Sequence, residues 1–270
     1  MSVLVIGATG NVGSHVVAGL RAAEMPVRGT SRTPESGEVP DGVEMVYADL
    51  GEPETLPAAL DGINKVFLYA YPDGIADFVI AAQAAGVEHV VLLSSASVVN
   101  PAMRSSFVAQ LHSTVEDALR ESGIAWTFLR PTTFATNMLR WAAPIRSGGA
   151  LRMPFLHSQD ASIHERDVAD TAVHALTGAG HEGKAYWLTG PQALTHLEHI
   201  EAIGAAIGRA IDVVEVAPED AEPKFPEFVI RSMVDAMKLE CTVTSTVEEV
   251  TGAPARPFRQ WAEDHLKDFS

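Results

Sequence analysis

The stretch Val3-Leu4-Val5-Ile6-Gly7-Ala8-Thr9-Gly10-Asn11-Val12-Gly13 decides the fold. An apolar run enters glycines spaced three apart, and residues 12–23 follow with Val16, Val17 and Leu20 at helical spacing. The pattern predicts strand, tight turn and helix. Gly7 suits the turn, Gly10 lets the backbone approach a pyrophosphate, and Gly13 lets the helix lie close on the strand. Free amides at the helix start, backed by the positive end of its dipole, then face the phosphates. The loop residues Gly7, Thr9, Gly10, Asn11, Val12 and Gly13 are therefore candidate dinucleotide ligands.

The same rhythm runs outward from this loop. Strands are predicted at 27–30, 43–47, 66–69, 90–93 and 126–129, and helices at 56–60, 75–85 and 107–120. Short apolar strands alternating with helices imply a parallel sheet covered on both faces, and right-handed crossovers make it doubly wound. After Pro131 the rhythm loosens. Gly148-Gly149, Pro154 and residues 157–160 read as loops, 167–176 and 197–207 as helices, and 185–188 and 211–216 as strands. The acidic, proline-rich 218–226 reads as a loop and 228–239 as an amphipathic helix. The expected fold is α/β, a Rossmann-type doubly wound parallel sheet with a smaller C-terminal α/β cap. Residues 1–135 form the core, and 136–270 form a substrate-pocket region interleaved with it in one structural unit.

Composition narrows the partners. A formal charge of −16 argues against nucleic acid, which needs clustered Lys and Arg. No apolar run reaches the roughly 20 residues of a membrane span, and the N-terminus lacks the basic region of a signal peptide. Cys241 is the only cysteine, which excludes an internal disulfide and a thiolate metal cluster and fits a reducing, cytoplasmic setting. An exposed helix pair suits a homodimer.

The second strand selects the cofactor. NAD enzymes place Asp or Glu at its tip for the ribose diol, and NADP enzymes place a basic residue near the 2′-phosphate. Here the tip reads Val27-Arg28-Gly29-Thr30-Ser31-Arg32-Thr33, with no acid. Arg32 can pair with a phosphate and Ser31 can hydrogen-bond it, so NADP(H) is expected.

Several motifs together resemble the NmrA-like branch of the atypical short-chain dehydrogenases/reductases. They are the glycine loop, Arg32, Asp49-Leu50, Trp126-Thr127-Phe128-Leu129-Arg130-Pro131, Asp167-Val168-Ala169-Asp170, Tyr186-Trp187-Leu188-Thr189-Gly190-Pro191 and a tail motif at 250–256. The resemblance implies further cofactor neighbours: Asp49 and Leu50 by the adenine, Tyr69 and Ala70 flanking the cofactor, Ser94 and Ser95 ending the fifth strand, and Pro131 to Phe134 bordering the nicotinamide.

Classical members of the wider group carry Tyr-x-x-x-Lys on the helix after the fifth strand. Here that helix reads Phe107-Val108-Ala109-Gln110-Leu111-His112, so Val108 and His112 stand at those positions. His112 is the candidate catalytic group and nicotinamide-ribose ligand, since an imidazole titrates near neutrality. Glu116, one turn on, either orients its ring or is a solvated carboxylate. His157, His164, Asp160 and Glu165 match no compact metal motif, and no metal is expected. Asp167 reads as a helix N-cap. Tyr71, Phe134, Met138, Trp141, Met153 and Phe155 are expected to shape an apolar pocket, with Met233 and Met237 on the helix closing it. The leading expectation is an NADPH-dependent oxidoreductase passing hydride to a quinone or an aromatic, polyketide-like carbonyl. The rivals are a non-catalytic NADP(H) sensor that binds a protein partner, and an isomerase or coupling factor.

Overall fold

The computed structural model describes residues 1–33, 42–101, 103–237 and 240–270. Its strands are β1 (Val3–Val5), β2 (Val27–Ser31), β3 (Glu44–Tyr47), β4 (Lys65–Tyr69), β5 (His89–Leu93), β6 (Ala125–Pro131), β7 (Leu151–Met153), β8 (Gln159–Asp160), β9 (Lys184–Leu188), β10 (Leu194–Thr195) and β11 (Val213–Glu215). Its helices are α1 (Gly13–Ala22), α2 (Leu56–Leu60), α3 (Ile75–Ala85), α4 (Phe107–Glu121), α5 (Ala142–Arg146), α6 (Glu165–Thr177), α7 (His196–Ala206), α8 (Glu227–Ala236), α9 (Thr246–Thr251), α10 (Phe258–Asp264) and α11 (Leu266–Phe269). The last two residues of the helix expected at 228–239, Lys238 and Leu239, lie outside the described residues.

Seven parallel strands form the main sheet in the order β3-β2-β1-β4-β5-β6-β9. The order reverses between β1 and β4, and that switch point opens a crevice at the strands' carboxyl ends. Strands covered on both faces need apolar residues at successive positions, which β1, β4 and β5 supply. One face buries Val16, Val17 and Leu20 of α1 with Val168, Ala172 and Leu176 of α6. The other buries Leu56, Phe78, Val115 and Leu119 from α2, α3 and α4. Since α6 and β9 belong to this sheet, the chain returns to the core after entering the cap.

The cap has its own core, centred on Trp141, Ile200, Phe258, Trp261 and Phe269. It corrects the expectation of a loop at 157–160, where Gln159–Asp160 forms a strand. Leu151–Met153 pairs in parallel with β11, and Gln159–Asp160 pairs antiparallel with β10. These strands are two or three residues long, and their partners lie far along the chain. No local periodicity can reveal them. Among the described residues no helix is long and apolar enough to cross a membrane.

Candidate active site

The glycine loop is built as its spacing requires. Gly7 has φ +75°, the left-handed region that a side chain disfavours. A Cβ on Gly13 would lie 2.1 Å from the Gly7 carbonyl oxygen, so only glycine lets α1 start so close to β1. The Gly7 N–H donates to Thr30 Oγ1 at 3.3 Å and the Ala8 N–H to the Thr30 carbonyl at 3.0 Å, which ties the loop to β2. The first turn of α1 carries no acidic residue to offset its positive end. A cleft of about 690 Å³ opens above.

Gly7, Thr9, Gly10, Asn11, Val12, Gly13, Ser31, Arg32, Tyr69 and Phe134 all line this cleft. No carboxylate does so among the described residues, although the chain carries a charge of −16. The loop's close backbone, the helix start and Arg32, the one cation of the lining among the described residues, fit a dinucleotide with its phosphates at the glycines. Ser31 Oγ accepts from the Thr33 N–H at 3.1 Å, which sets the turn that carries Arg32. Sequence reasoning missed Thr30, Ala48, Phe67, Leu93, Thr136 and Asn137 in the lining. Ala48, Phe67 and Leu93 lie at or near the carboxyl ends of β3, β4 and β5, which is the signal that locates them.

Other expected neighbours lie outside the lining. Leu50 is buried in the core beside α2. Asp49 accepts from the Gly51 N–H at 2.8 Å and shapes its own loop. Burial, then the nearby Asp49 charge, raises the Tyr69 hydroxyl above its ordinary range. Ala70 packs on the face of the sheet that carries α2 and α3. Pro131 borders a separate pocket. Ser94 is buried and donates to Glu116 Oε1 at 2.6 Å.

Glu116 is neither solvated nor a partner that hydrogen-bonds His112. Its side chain is fully buried and binds Arg130 through both carboxylate oxygens, at 2.9 and 2.6 Å, and Arg120 at 2.7 Å. Burial pushes its pKa up, but hydrogen bonds from Arg130 and Ser94 outweigh that and hold it below the usual range. His112 lines neither the cleft nor a pocket described here. Its Nδ1 is buried with no hydrogen-bond partner among the described residues. Burial lowers its pKa despite the Glu116 charge.

The N-cap assignment is also corrected. α6 begins two residues before Asp167, and His164 Nδ1 caps it by accepting from the Arg166 N–H at 3.2 Å. Asp167 instead binds Arg256 of the tail, through the Arg256 N–H at 2.8 Å and through its guanidinium. His164 and Glu165 face Asp264 and His265 of the tail, whereas Asp160 lies with Ser162, His196 and His199.

Two pockets adjoin the cleft. The inner one, about 170 Å³, is walled by Met138, Trp141, Phe225, Val229 and Met233, with Arg140, Asp160 and His196 as its charged or titratable groups among the described residues. The outer one, about 290 Å³, runs past Ser95, Pro131, Thr133, Trp187 and Cys241. Asn137 borders the cleft and both pockets. Met153, expected in the pocket, is buried in the cap core instead.

Comparison with known proteins agrees with this geometry. An NAD(P)H-binding family model matches residues 7–179. The chain is 40% identical to a (4-alkanoyl-5-oxo-2,5-dihydrofuran-3-yl)methyl phosphate reductase of Streptomyces griseus, covering 99% of both chains. It is 37% identical to an NAD(P)H azoreductase of Xenophilus azovorans, again covering 99% of both. It superposes on an NADPH-dependent quinone oxidoreductase of Escherichia coli with a TM-score of 0.81 and 25% identity, covering 98% of this chain and 99% of that one. The glycine cradle, Arg32 at the cleft and the relatives matched over 99% of both chains agree: the chain belongs to the NAD(P)H-binding family and is an NAD(P)H-dependent oxidoreductase, as its NmrA-like motifs imply.

Proposed function

We propose that the protein uses NADPH to reduce planar, conjugated acceptors, quinones foremost, with azo and unsaturated carbonyl compounds of the kinds its relatives are named for. The observation that carries this reading is Asn137, which borders both the dinucleotide cleft and the apolar pockets beside it. When bound, the nicotinamide supplies the hydride. The chain's own residues do the rest. The glycine loop and the start of α1 hold the pyrophosphate. Arg32, Ser31 and Thr33 hold the 2′-phosphate, which gives NADPH the advantage over NADH. Tyr69, Tyr71 and Phe134 flank the cleft, while Met138, Trp141, Phe225 and Met233 keep water from the acceptor.

A quinone suits a site with Val108 where a tyrosine would stand, because the reduced oxygen is a comparatively stable anion. The test is loss of reduced-nicotinamide absorbance on adding quinones to protein and NADPH. Oxidation that depends on protein and saturates with quinone supports the reading. Tight NADPH binding with no oxidation across quinones, azo dyes and enones contradicts it.

A further inference from the structure

Hydride reduction of a quinone leaves negative charge on an oxygen, and a proton must reach it. The tyrosine position holds Val108, and His112 lines no pocket described here. On the inner pocket wall the titratable side chains, among the described residues, are Arg140, Asp160 and His196. Arginine keeps its proton near neutral pH. In the outer pocket the titratable side chains, among the described residues, are Asp160, Glu240 and Cys241. Cys241 is a poor acid, since burial and then the Asp160 charge push its thiol up to about 11, and Glu240 does not line the inner pocket.

Asp160 and His196 meet because two short strands bring them together. β8 and β10 pair with Asp160 opposite Leu194, and His196 opens α7 directly after β10. The His196 N–H donates to the Ser158 carbonyl at 3.1 Å, and a capping box of Thr195 and Glu198 fixes the first turn. His196 is only 5% exposed, yet it lines the pocket. Its Nε2 lies 3.7 Å from Asp160 Oδ2, too far for a hydrogen bond. Its Nδ1 is buried with no partner among the described residues. Ser162 donates to Asp160 Oδ1, which leaves Oδ2 facing the ring.

We propose that His196, through Nε2 on the side of the ring that carries Asp160, is the proton donor of the acceptor pocket. This rests on the reductase reading above. The imidazolium N–H bond breaks and an O–H bond forms on the acceptor oxygen where charge develops. The acceptor thus gains one hydride from NADPH and one proton from His196. NADP⁺ is the oxidised product, and water returns the proton to the ring. Among the described residues, the other charged or titratable groups nearby are His199, 3.9 Å from Asp160 and with its pKa lowered mainly by burial, Glu198, committed to Thr195, Arg140 on the pocket wall, and Glu240 and Cys241 in the outer pocket that Asp160 also lines.

The test compares wild type, His196→Gln, His196→Gly and Asp160→Asn with a quinone from about pH 5 to 9, bracketing the imidazole range. Wild-type kcat falls as pH rises through that range, because the donor is the protonated form. His196→Gln loses about 10²-fold in kcat and its pH profile flattens, with NADPH affinity unchanged. Added imidazole restores His196→Gly. Asp160→Asn lowers kcat with NADPH affinity unchanged. A readout without turnover is the visible band of bound 4-nitrophenol. Wild type holds the phenolate beside the imidazolium, and His196→Gln shifts the balance to the phenol. Wild-type kcat and pH profile in His196→Gln overturn the assignment alone. A wild type inert to every acceptor overturns the reductase reading and this proposal with it.

Discussion

Gly13 has no room for a side chain, and its neighbour is backbone rather than a flexible group. Gly13→Ala is therefore expected to displace the loop, lower Tm by several degrees and abolish NADPH binding, as checked by thermal melts and fluorescence titration. Arg32 acts through charge instead. Removing one charge-assisted hydrogen bond costs about 1.5–3 kcal/mol, so Arg32→Gln should raise KM for NADPH by about tenfold or more and leave KM for NADH unchanged. Steady-state kinetics with both cofactors checks it. Both residues are legible in the sequence, because a glycine spacing and a strand-end cation are local signals. Glu116 and Asp167 are not. The identity of each depends on an arginine that folding brings from 14 and 89 residues away.

At the scale of elements, α4 is anchored from inside the sheet. Its Glu116 carboxylate is tied to Arg130 on β6 and to Ser94 after β5, so a charged pair joins the helix to two neighbouring strand ends. Breaking a buried pair from one side costs about 3–5 kcal/mol, and Glu116→Gln is expected to destabilise by about 3 kcal/mol in denaturant unfolding. The sign with pH follows from the depressed folded pKa. This contribution is present above the unfolded glutamate value of about 4.3 and is lost as pH falls through the lower folded value. Wild type should therefore lose stability in acid more steeply than Glu116→Gln. A milder effect is expected at α7, where Thr195→Ala removes the capping box at a cost of about 1 kcal/mol. Helices with clear periodicity, such as α1, α3 and α4, can be read from sequence to within a residue or two. The cap strands β7 and β8 cannot, because each is defined only by a distant partner.

Across the whole molecule, charge is distributed against its own average. Among the described residues of a chain of net −16, no carboxylate lines the dinucleotide cleft and Arg32 does, with the start of α1 behind the glycines. The parallel sheet supplies the cleft at its switch point, and the cap supplies apolar pockets that reach it at Asn137. The doubly wound parallel sheet and the cofactor loop follow from the first half of the sequence. The pocket does not, because Asp160, His196 and Phe225 converge from segments without a shared local pattern. The most direct test of the central claim titrates one sample with NADPH and another with NADH, then adds a simple quinone to each. Tighter binding of NADPH, followed by loss of its absorbance on quinone addition, is the expected result. Equal or stronger binding of NADH, or bound NADPH that stays reduced with every acceptor, would contradict it.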